Sequence, residues 1–348
     1  MDYRSLGRTG VQVSALCLGC MNFGGRTPES DAIDIIHHAL DSGINFIDTA
    51  NVYGHDPQNF SVGRGRSEEI VGKAIKEQRD KVVLATKAYF HMSDGPNAWG
   101  SSRRHIIEQC EASLKRLNTD HIDLYQLHHP HNSIPIDETL RALDDLIRSG
   151  KVRYIGTSSF AAWQIMESLW ASKELHLNRF ICEQPAYNML DRRAERELIP
   201  MARTYDIAII PWSPTAGGFL TGRYSRNQPP PAESRLGAFW TSAAKTHLTD
   251  AAFDVLDIVT AMAEEKQVTP YQIALAWVLH QPGITSPIIG PRTMHHLEDS
   301  LAALEIEFTE DDFARIDAIA PPGQMTVPYY GSDGFAWVTW GPHKHRWI

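Results

Sequence analysis

The chain has few cysteines, and their spacing indicates neither a disulfide framework nor a zinc site. Its 348 residues include four, Cys17, Cys20, Cys110 and Cys182. The first two have the C-x-x-C spacing, but no second pair follows and no thioredoxin-like pattern surrounds them. We therefore expect buried free thiols.

An excess of basic residues and a long apolar run are also missing. The formal net charge of −9 argues against a protein that binds nucleic acid through its phosphates, although it leaves room for a basic pocket that holds one small anion. No apolar run reaches the ~18 residues of a transmembrane helix, and MDYRSLGRTG lacks a signal-peptide core. We expect a soluble, cytoplasmic protein without nucleic-acid or membrane partners; the sequence does not indicate its oligomeric state.

Short apolar runs alternate with amphipathic stretches along most of the chain, and 43% hydrophobic residues provide for a large core. The predicted strands cover residues 15–19, 45–47, 81–86, 122–127, 152–157, 179–184, 207–212 and 286–289. The predicted helices cover residues 30–42, 67–77, 102–117, 137–149, 160–172, 192–205, 250–266, 270–280, 293–303 and 309–319. Ser30, Ser67 and Ser102 stand where helix caps are wanted. Eight strand–helix units with continuously apolar strands predict parallel pairing in a (β/α)₈ (TIM) barrel.

Additional segments flank this pattern. Residues 3–13 predict a hairpin, and the Gly- and Pro-containing stretch 213–248 predicts a long loop after the seventh strand, of the length that binding loops have. The aromatic segment after residue 319 is too apolar for a free tail, so we expect it to be ordered, in a single domain that covers residues 1–348. The G-x-G-x-x-G fingerprint is absent after Gly19, so a dinucleotide would be bound without a Rossmann fold.

Four titratable residues stand at the carboxyl ends of successive predicted strands, where barrel enzymes carry their chemistry. Asp48 and Tyr53 follow the second strand, Lys87 the third and His128 the fourth. A phenol is a poor acid at neutral pH unless a nearby cation lowers its pKa, which Lys87 could do while held by Asp48. Singly, each residue has an ordinary structural explanation; together they favour proton transfer to a carbonyl oxygen during hydride attack. His128, His129 and His131 lack a carboxylate at ligand spacing, so we expect no metal.

The chain resembles the aldo-keto reductase family over essentially its whole length. The motifs that carry the resemblance are LGRTGVQVSALCLG, GINFIDTANVYG, GRSEEIVGKAI, LATKAYF, LYQLHHP, GKVRYIGTSSF, QPAYNML, PWSPTAGGFLTGRY and IIGPRTMHHLEDSLAAL. The family's catalytic tetrad then falls on Asp48, Tyr53, Lys87 and His128, with Tyr53 as the implied general acid. The resemblance also implies a barrel with a hairpin on its floor and a reduced nicotinamide cofactor.

The same resemblance implies the positions that bind the cofactor. Ser158, Ser159 and Gln184 match residues that bond the nicotinamide carboxamide, and Trp212 matches the residue that stacks on its ring. The pyrophosphate loop corresponds to Ser213, Thr215, Gly217 and Leu220. The remaining positions are Gly290, Arg292, Thr293, His296 and Ser300, at a helix start where Arg292 and Thr293 suit a 2′-phosphate and so favour NADPH. The sequence departs from the family with His296 in place of Gln and Ser300 in place of Asn.

A set of mostly aromatic residues near these strand ends are candidates for the substrate pocket. They are Met21, Tyr89, Phe90, Trp99, His129 and Phe239, together with tail residues such as Tyr329 and Trp337. The sequence thus predicts an NADPH-dependent reductase of small aldehydes or ketones. One alternative is reduction of nucleotide-activated ketosugars or enoyl-sugars, since IGPRT and the following DSL resemble actinobacterial members with such substrates. Another is a cofactor-binding regulatory subunit with slow turnover, as in channel-associated members.

Overall fold

Parallel strands and α-helices alternate through the computed structural model, which describes residues 1–56, 59, 62–232, 234, 237 and 248–327. The strands are β1 (Tyr3–Ser5), β2 (Gln12–Ser14), β3 (Cys17–Gly19), β4 (Phe46–Asp48), β5 (Val83–Ala88), β6 (Ile122–Leu127), β7 (Val152–Ser158), β8 (Cys182–Gln184), β9 (Ala208–Ile209) and β10 (Ile288–Ile289). The helices are α1 (Glu29–Asp41), α2 (Arg66–Ala74), α3 (Arg103–Leu117), α4 (Ile136–Arg148), α5 (Ala162–Glu174), α6 (Leu198–Tyr205), α7 (Asp250–Lys266), α8 (Pro270–His280), α9 (Met294–Ala302) and α10 (Glu310–Ile319).

Eight of the strands form the predicted (β/α)₈ barrel. Their order is β10-β3-β4-β5-β6-β7-β8-β9, and every neighbouring pair is parallel. The two end strands meet through backbone hydrogen bonds, from Thr285 N to Ile209 O at 2.8 Å and from Ile288 N to Pro211 O at 2.9 Å. These bonds close the sheet into a ring, which confirms the predicted fold class.

The strands are apolar on both faces because they separate two cores. Side chains that point outward, such as Ile47 and Leu84, pack against the helices in the larger core. Their neighbours Phe46 and Ala85 point inward and form a smaller core inside the barrel. Alternate residues of a strand face opposite sides, so a strand buried on both sides reads as a continuous apolar run.

The hairpin of β1 and β2 covers the amino-terminal end of the barrel, as the sequence predicts. Leu6 and Val13 are fully buried in the inner core. Arg4 donates hydrogen bonds to the carbonyl oxygens of Ile284 at 3.0 Å and Leu279 at 3.2 Å, and so ties the hairpin to the last strand–helix unit. The floor is therefore closed, and the functional groups lie at the opposite end.

Several predicted boundaries are wrong for identifiable reasons. Residues 76–81 form a 3-10 helix, so β5 begins at Val83 instead of residue 81 and includes Lys87. Of the three serines predicted to cap helices, only Ser102 does so, by accepting from the amide of His105 at 3.3 Å. Ser30 lies inside α1, whose N-cap residue is Pro28. Ser67 lies inside α2, and its hydroxyl donates to the carbonyl oxygen of Cys20 at 2.8 Å.

The remaining fold predictions have mixed outcomes. The four cysteines are buried free thiols, as predicted. The long loop begins with a 3-10 turn over Ala216–Thr221, while its later part, including Phe239, and the tail with Tyr329 and Trp337 lie outside the described residues. No helix of the described ranges is both long and apolar enough to cross a membrane.

Candidate active site

A layer of polar side chains lies above the inner apolar core, at the carboxyl ends of the strands. Because inward positions recur every second residue, Phe46 and Ala85 are followed by Asp48 and Lys87 on the inner face. In the same way, the inward-facing Leu124 and Cys182 are followed by Gln126 and Gln184. All four polar residues are buried, so the strand period itself assembles a polar cluster in the mouth of the barrel.

Lys87 and Asp48 form a buried ion pair. The Lys87 ammonium donates to Asp48 Oδ2 and, at 2.9 Å, to the carbonyl oxygen of Thr49. Burial lowers the pKa of Lys87, but the charge of Asp48 and contributions from Tyr53 and the Asp48 hydrogen bond outweigh it, so the pKa lies above its ordinary value. Lys87 therefore carries a positive charge at neutral pH although it is fully buried.

Tyr53 lies over this ion pair on the turn between β4 and α2. Its carbonyl oxygen accepts from the amides of Gly65 at 3.1 Å and Ser67 at 3.3 Å, which anchors the turn to the start of α2. Gly54 has φ of +91° and no room for a Cβ beside Ser67, so the turn requires glycine there. The Lys87 ammonium lies 5.1 Å from the centre of the Tyr53 ring, close enough to stabilise negative charge on the phenol oxygen.

His128 completes the cluster from the end of β6. Its Nε2 atom lies 3.4 Å from the Tyr53 hydroxyl, and the two rings meet edge to face. Burial, the charge of Lys87 and the neighbouring His129 hold the pKa of His128 well below its usual range. The imidazole is therefore neutral at physiological pH and can share a hydrogen bond with the phenol and with a bound oxygen.

Residues at the ends of β7 and β8 border this cluster. Ser158 donates to the carbonyl oxygen of Gln184 at 3.0 Å, and the amide of Ser159 donates to the same oxygen at 3.2 Å. Ser159 has φ of +63°, an uncommon backbone conformation for serine. Glu183 lies beneath this turn, where its carboxyl accepts from Phe160 N at 3.0 Å and from Thr157 Oγ1 at 2.5 Å. Burial raises the pKa of Glu183 to about 8.

The segment after β9 is a compact turn that contains several left-handed residues. Trp212 is half-buried and donates its amide hydrogen to Pro185 O at 2.9 Å. Ser213 accepts from the amide of Gly217 at 2.8 Å, and Thr215 O accepts from the amides of Gly218 at 3.0 Å and Leu220 at 3.2 Å. The left-handed conformations are those of Ser213, Ala216, Gly217, Gly218 and Gly222. A Cβ at Gly218 would meet nothing within 4 Å, so a ligand can approach the backbone.

Positive charge gathers at the start of α9. Thr293 caps this helix by accepting from the amide of His296 at 3.4 Å, and Nδ1 of His296 accepts from the amide of Arg292 at 3.4 Å. Burial and then the charges of Arg292 and Arg223 lower the pKa of His296, so both guanidinium groups lie near this imidazole. The sequence reasoning passed over Arg223, although its TGRY context was part of the matched motif.

Two other predicted cofactor positions have different surroundings. Gly290 is exposed, and its carbonyl oxygen accepts from Asn22 Nδ2 at 3.1 Å. Ser300 is fully buried, with its hydroxyl 2.6 Å from that of Tyr271 and donating to His296 O at 2.7 Å. The assignment of Gly290 and Ser300 to the cofactor site stays a prediction.

The predicted pocket residues form an aromatic cluster beside His128. The Phe90 ring lies 4.9 Å from the rings of both His128 and His129. Tyr89 is buried and meets Phe90, Trp99 and His129 edge to face, which makes it a support for the others. Met21 follows β3 and is 36% exposed. The structure therefore places Phe90 nearest to the polar cluster among these aromatic residues.

Comparison with known proteins agrees with this geometry. The aldo/keto reductase family model matches residues 15–321. "Uncharacterized oxidoreductase YrpG" of Bacillus subtilis is 40% identical over 338 residues, which cover 95% of this chain and 99% of the relative. "Versiconal hemiacetal acetate reductase" of Aspergillus parasiticus is 34% identical over 345 residues, covering 91% and 96%. A "Probable voltage-gated potassium channel subunit beta" of Arabidopsis thaliana is 36% identical over 312 residues, covering 88% and 92%. The chain belongs to the aldo/keto reductase family and is an NAD(P)H-dependent oxidoreductase that acts on small carbonyl compounds.

Proposed function

We propose that the protein reduces an aldehyde or ketone to an alcohol with NADPH, and that Tyr53 donates the proton. The observation that carries this proposal is the arrangement around the phenol. His128 Nε2 lies 3.4 Å from its oxygen, and the buried Lys87 ammonium lies 5.1 Å from its ring. This combination pairs a weak acid with a fixed positive charge and a neutral hydrogen-bonding partner.

Each residue of the cluster has a distinct proposed part in the proton transfer. Tyr53 protonates the carbonyl oxygen; the hydride that the carbon receives would come from the nicotinamide when it is bound. The charge of Lys87 stabilises the tyrosinate that remains, and Asp48 keeps that ammonium in place. His128, being neutral, hydrogen-bonds the substrate oxygen and holds it near the phenol.

The described residues fit a phosphorylated dinucleotide. The left-handed turn from Ser213 to Gly218 has open space beside Gly218, where a pyrophosphate would lie close to the backbone. Trp212 is half-buried beside it and would stack on the nicotinamide ring. Arg292, Arg223 and Thr293 gather at the start of α9, where a 2′-phosphate would find two positive charges and a helix amino terminus.

Arg292 provides the test of the cofactor preference. We expect Arg292→Ala to weaken NADPH binding by about tenfold or more while NADH binding changes little, because NADH lacks the 2′-phosphate that a charged hydrogen bond would hold. Binding is followed through quenching of tryptophan fluorescence. Arg315→Ala is the control, since Arg315 pairs with Glu265 on the outer helices. Equal losses for both cofactors would contradict the assignment.

The substrate class is tested by turnover. Wild-type protein with NADPH is assayed against simple aldehydes, ketones and nucleotide-linked ketosugars, through the loss of nicotinamide absorbance and the appearance of the alcohol. We expect simple carbonyl compounds that fit beside Phe90 to be reduced. Turnover confined to the sugar nucleotides would replace this proposal with the ketosugar alternative. Cofactor binding without turnover of any compound would favour the regulatory alternative.

A further inference from the structure

Gln126 lies at the centre of the polar layer, between two residues assigned to different tasks. Its side chain is fully buried, and its Nε2 atom lies 3.0 Å from Asp48 Oδ1. The Nε2 atom of Gln184 lies 3.0 Å from the same carboxylate oxygen and 3.2 Å from Gln126 Oε1. Gln126 thus links the Asp48 carboxylate, which holds Lys87, to the side-chain amide of Gln184.

The chemistry of Asp48 fixes the orientation of both amides. An ionised carboxylate only accepts hydrogen bonds, so the two amide groups at Oδ1 must present their nitrogens to it. With its nitrogen at Asp48, Gln126 has its oxygen left to accept from Gln184. The two amide hydrogens of Gln184 then have one acceptor each, Asp48 Oδ1 and Gln126 Oε1. Of the Gln184 side-chain amide, only the oxygen Oε1 remains for a ligand.

Gly156 provides the space that this arrangement needs. It pairs with Gln126 across β6 and β7, and a Cβ there would lie 3.4 Å from Gln126 Cγ and closer still to the sulfur of Cys182. A larger residue at this position would clash with the Cys182 sulfur, which itself lies 3.9 Å from Gln126 Oε1. The glycine therefore leaves room for the side chains of Cys182 and Gln126 at the centre of the barrel.

We propose that Gln126 is a positioning residue that acts with Asp48: Asp48 takes one amide hydrogen of Gln184 and Gln126 takes the other, so that Gln184 accepts a hydrogen bond from the nicotinamide carboxamide NH₂ and has no hydrogen left to donate. The inference rests on the proposed function, which assigns Gln184 to the nicotinamide. Through its own amide hydrogen, Gln126 also holds Asp48 against Lys87. One residue thereby links recognition of the cofactor ring to the ion pair beneath Tyr53.

The test compares binding of NADP⁺ with binding of its 3-acetylpyridine analogue, in which a methyl group replaces the carboxamide NH₂. Wild-type protein should bind NADP⁺ about five- to tenfold more tightly, the effect of one hydrogen bond. In Gln126→Met, one amide hydrogen of Gln184 becomes free to donate to the acetyl oxygen, so the preference should fall to about twofold or less. Met has nearly the same volume and shape as Gln, which limits the disturbance to packing.

Gln126→Glu keeps both contacts of this residue. The introduced carboxyl group and Asp48 lie too close together for both to be ionised, so they share one proton, which the new side chain donates to Asp48. Its other oxygen still accepts from Gln184, so the preference for NADP⁺ should persist and the pH profile of kcat should stay as in the wild type. Tyr125→Phe is the control, because Tyr125 lies next to Gln126 on β6 but points outward and donates to Ile106 O at 3.2 Å. It should change neither the preference nor the pH profile.

The outcomes distinguish failure of this inference from failure of the proposed function. If wild-type protein binds neither nucleotide, both are overturned. Equal binding of NADP⁺ and the analogue by wild-type protein overturns the inference alone, as does an unchanged preference in Gln126→Met. If Gln126→Met does not fold, Gln126→Glu still decides, because loss of the preference for NADP⁺ in a variant that keeps the acceptor for Gln184 overturns the inference.

Discussion

Placing charged and polar side chains inside a barrel opposes folding unless every group is satisfied. Removing an ion from water costs several kcal/mol, and pairing offsets this only when further hydrogen bonds complete the site. Asp48 accepts from Lys87 through one oxygen and from Gln126 and Gln184 through the other. The ion pair is therefore held in one geometry, which is what a fixed charge beneath Tyr53 requires.

Sequence reasoning found the four residues Asp48, Tyr53, Lys87 and His128 because each follows an apolar run or lies in the turn just after one. Tyr53 and His128 lie far apart in the chain, yet barrel topology places all strand ends on one rim, and the structure brings them together. Gln126 and Glu183 were missed because each lies inside a strand, where a polar residue is easily read as a change of face. Their partners come from other strands, and nothing in the local pattern identifies them.

Glu183 gives a prediction on the pH dependence of stability. Its pKa is raised by burial from an ordinary value of 4.5 to about 8. Between pH 4.5 and about 8, the folded protein therefore keeps a proton that the unfolded chain has lost. The stability that Glu183 contributes by holding this proton is complete below pH 4.5 and is lost as the pH rises to about 8. The free energy of unfolding should fall by up to about 1.4 kcal/mol per pH unit in this window. Glu183→Gln should remove that slope in denaturant titrations.

The control for this prediction is Glu108→Gln. Glu108 is a half-exposed carboxylate on α3 that pairs with Arg104, and its replacement should leave the slope as in the wild type. A wild-type slope that survives in Glu183→Gln would show that the buried carboxyl is already ionised across this range.

At the level of elements, the close packing of α2 on α3 holds the Tyr53 turn in place. Gly72 lies in α2 against the last residue of α3, Leu117. An added Cβ would lie 2.6 Å from the carbonyl carbon of Leu117 and 2.8 Å from its Cα. A helical glycine costs stability by itself, so its presence here is explained by the approach of the two backbones.

We expect Gly72→Ala to destabilise the protein although alanine is the better helix former. Overpacking costs about 1–3 kcal/mol, which exceeds the gain in helix propensity of about 0.5–1 kcal/mol. Thermal unfolding measures the net effect. Gly10→Ala is the matched control, since Gly10 is exposed and an added Cβ would meet nothing within 4 Å. Equal or higher stability of Gly72→Ala would contradict the packing argument.

The order of the elements was predictable, whereas their ends were not. Apolar runs between amphipathic stretches mark every barrel strand, because both faces of each strand are buried. Ends depend on tertiary contacts. Ser67 fits a cap by sequence, yet its hydroxyl lies 2.9 Å from that of Thr49 and donates to Cys20 O, within the top of the barrel. Only the folded structure makes those partners available.

On the scale of the whole molecule, the barrel has a closed floor and a polar mouth. The hairpin seals one end through Leu6 and Arg4, and the strand ends deliver Asp48, Lys87 and His128 to the other. The eight-fold count and the parallel order were predictable from periodicity. The roles of Phe239 and of the aromatic tail stay predictions, because these residues lie outside the described ranges.

The central claim is that Tyr53 is the proton donor of a reductase, and comparison of wild-type protein with Tyr53→Phe tests it most directly. The measurement pairs NADPH binding, by tryptophan fluorescence, with the rate of alcohol formation at saturating NADPH. We predict a fall in kcat of about 100-fold or more, the usual contribution of a general acid, with NADPH affinity changed by less than about twofold. Turnover that persists near the wild-type rate in Tyr53→Phe would contradict the account.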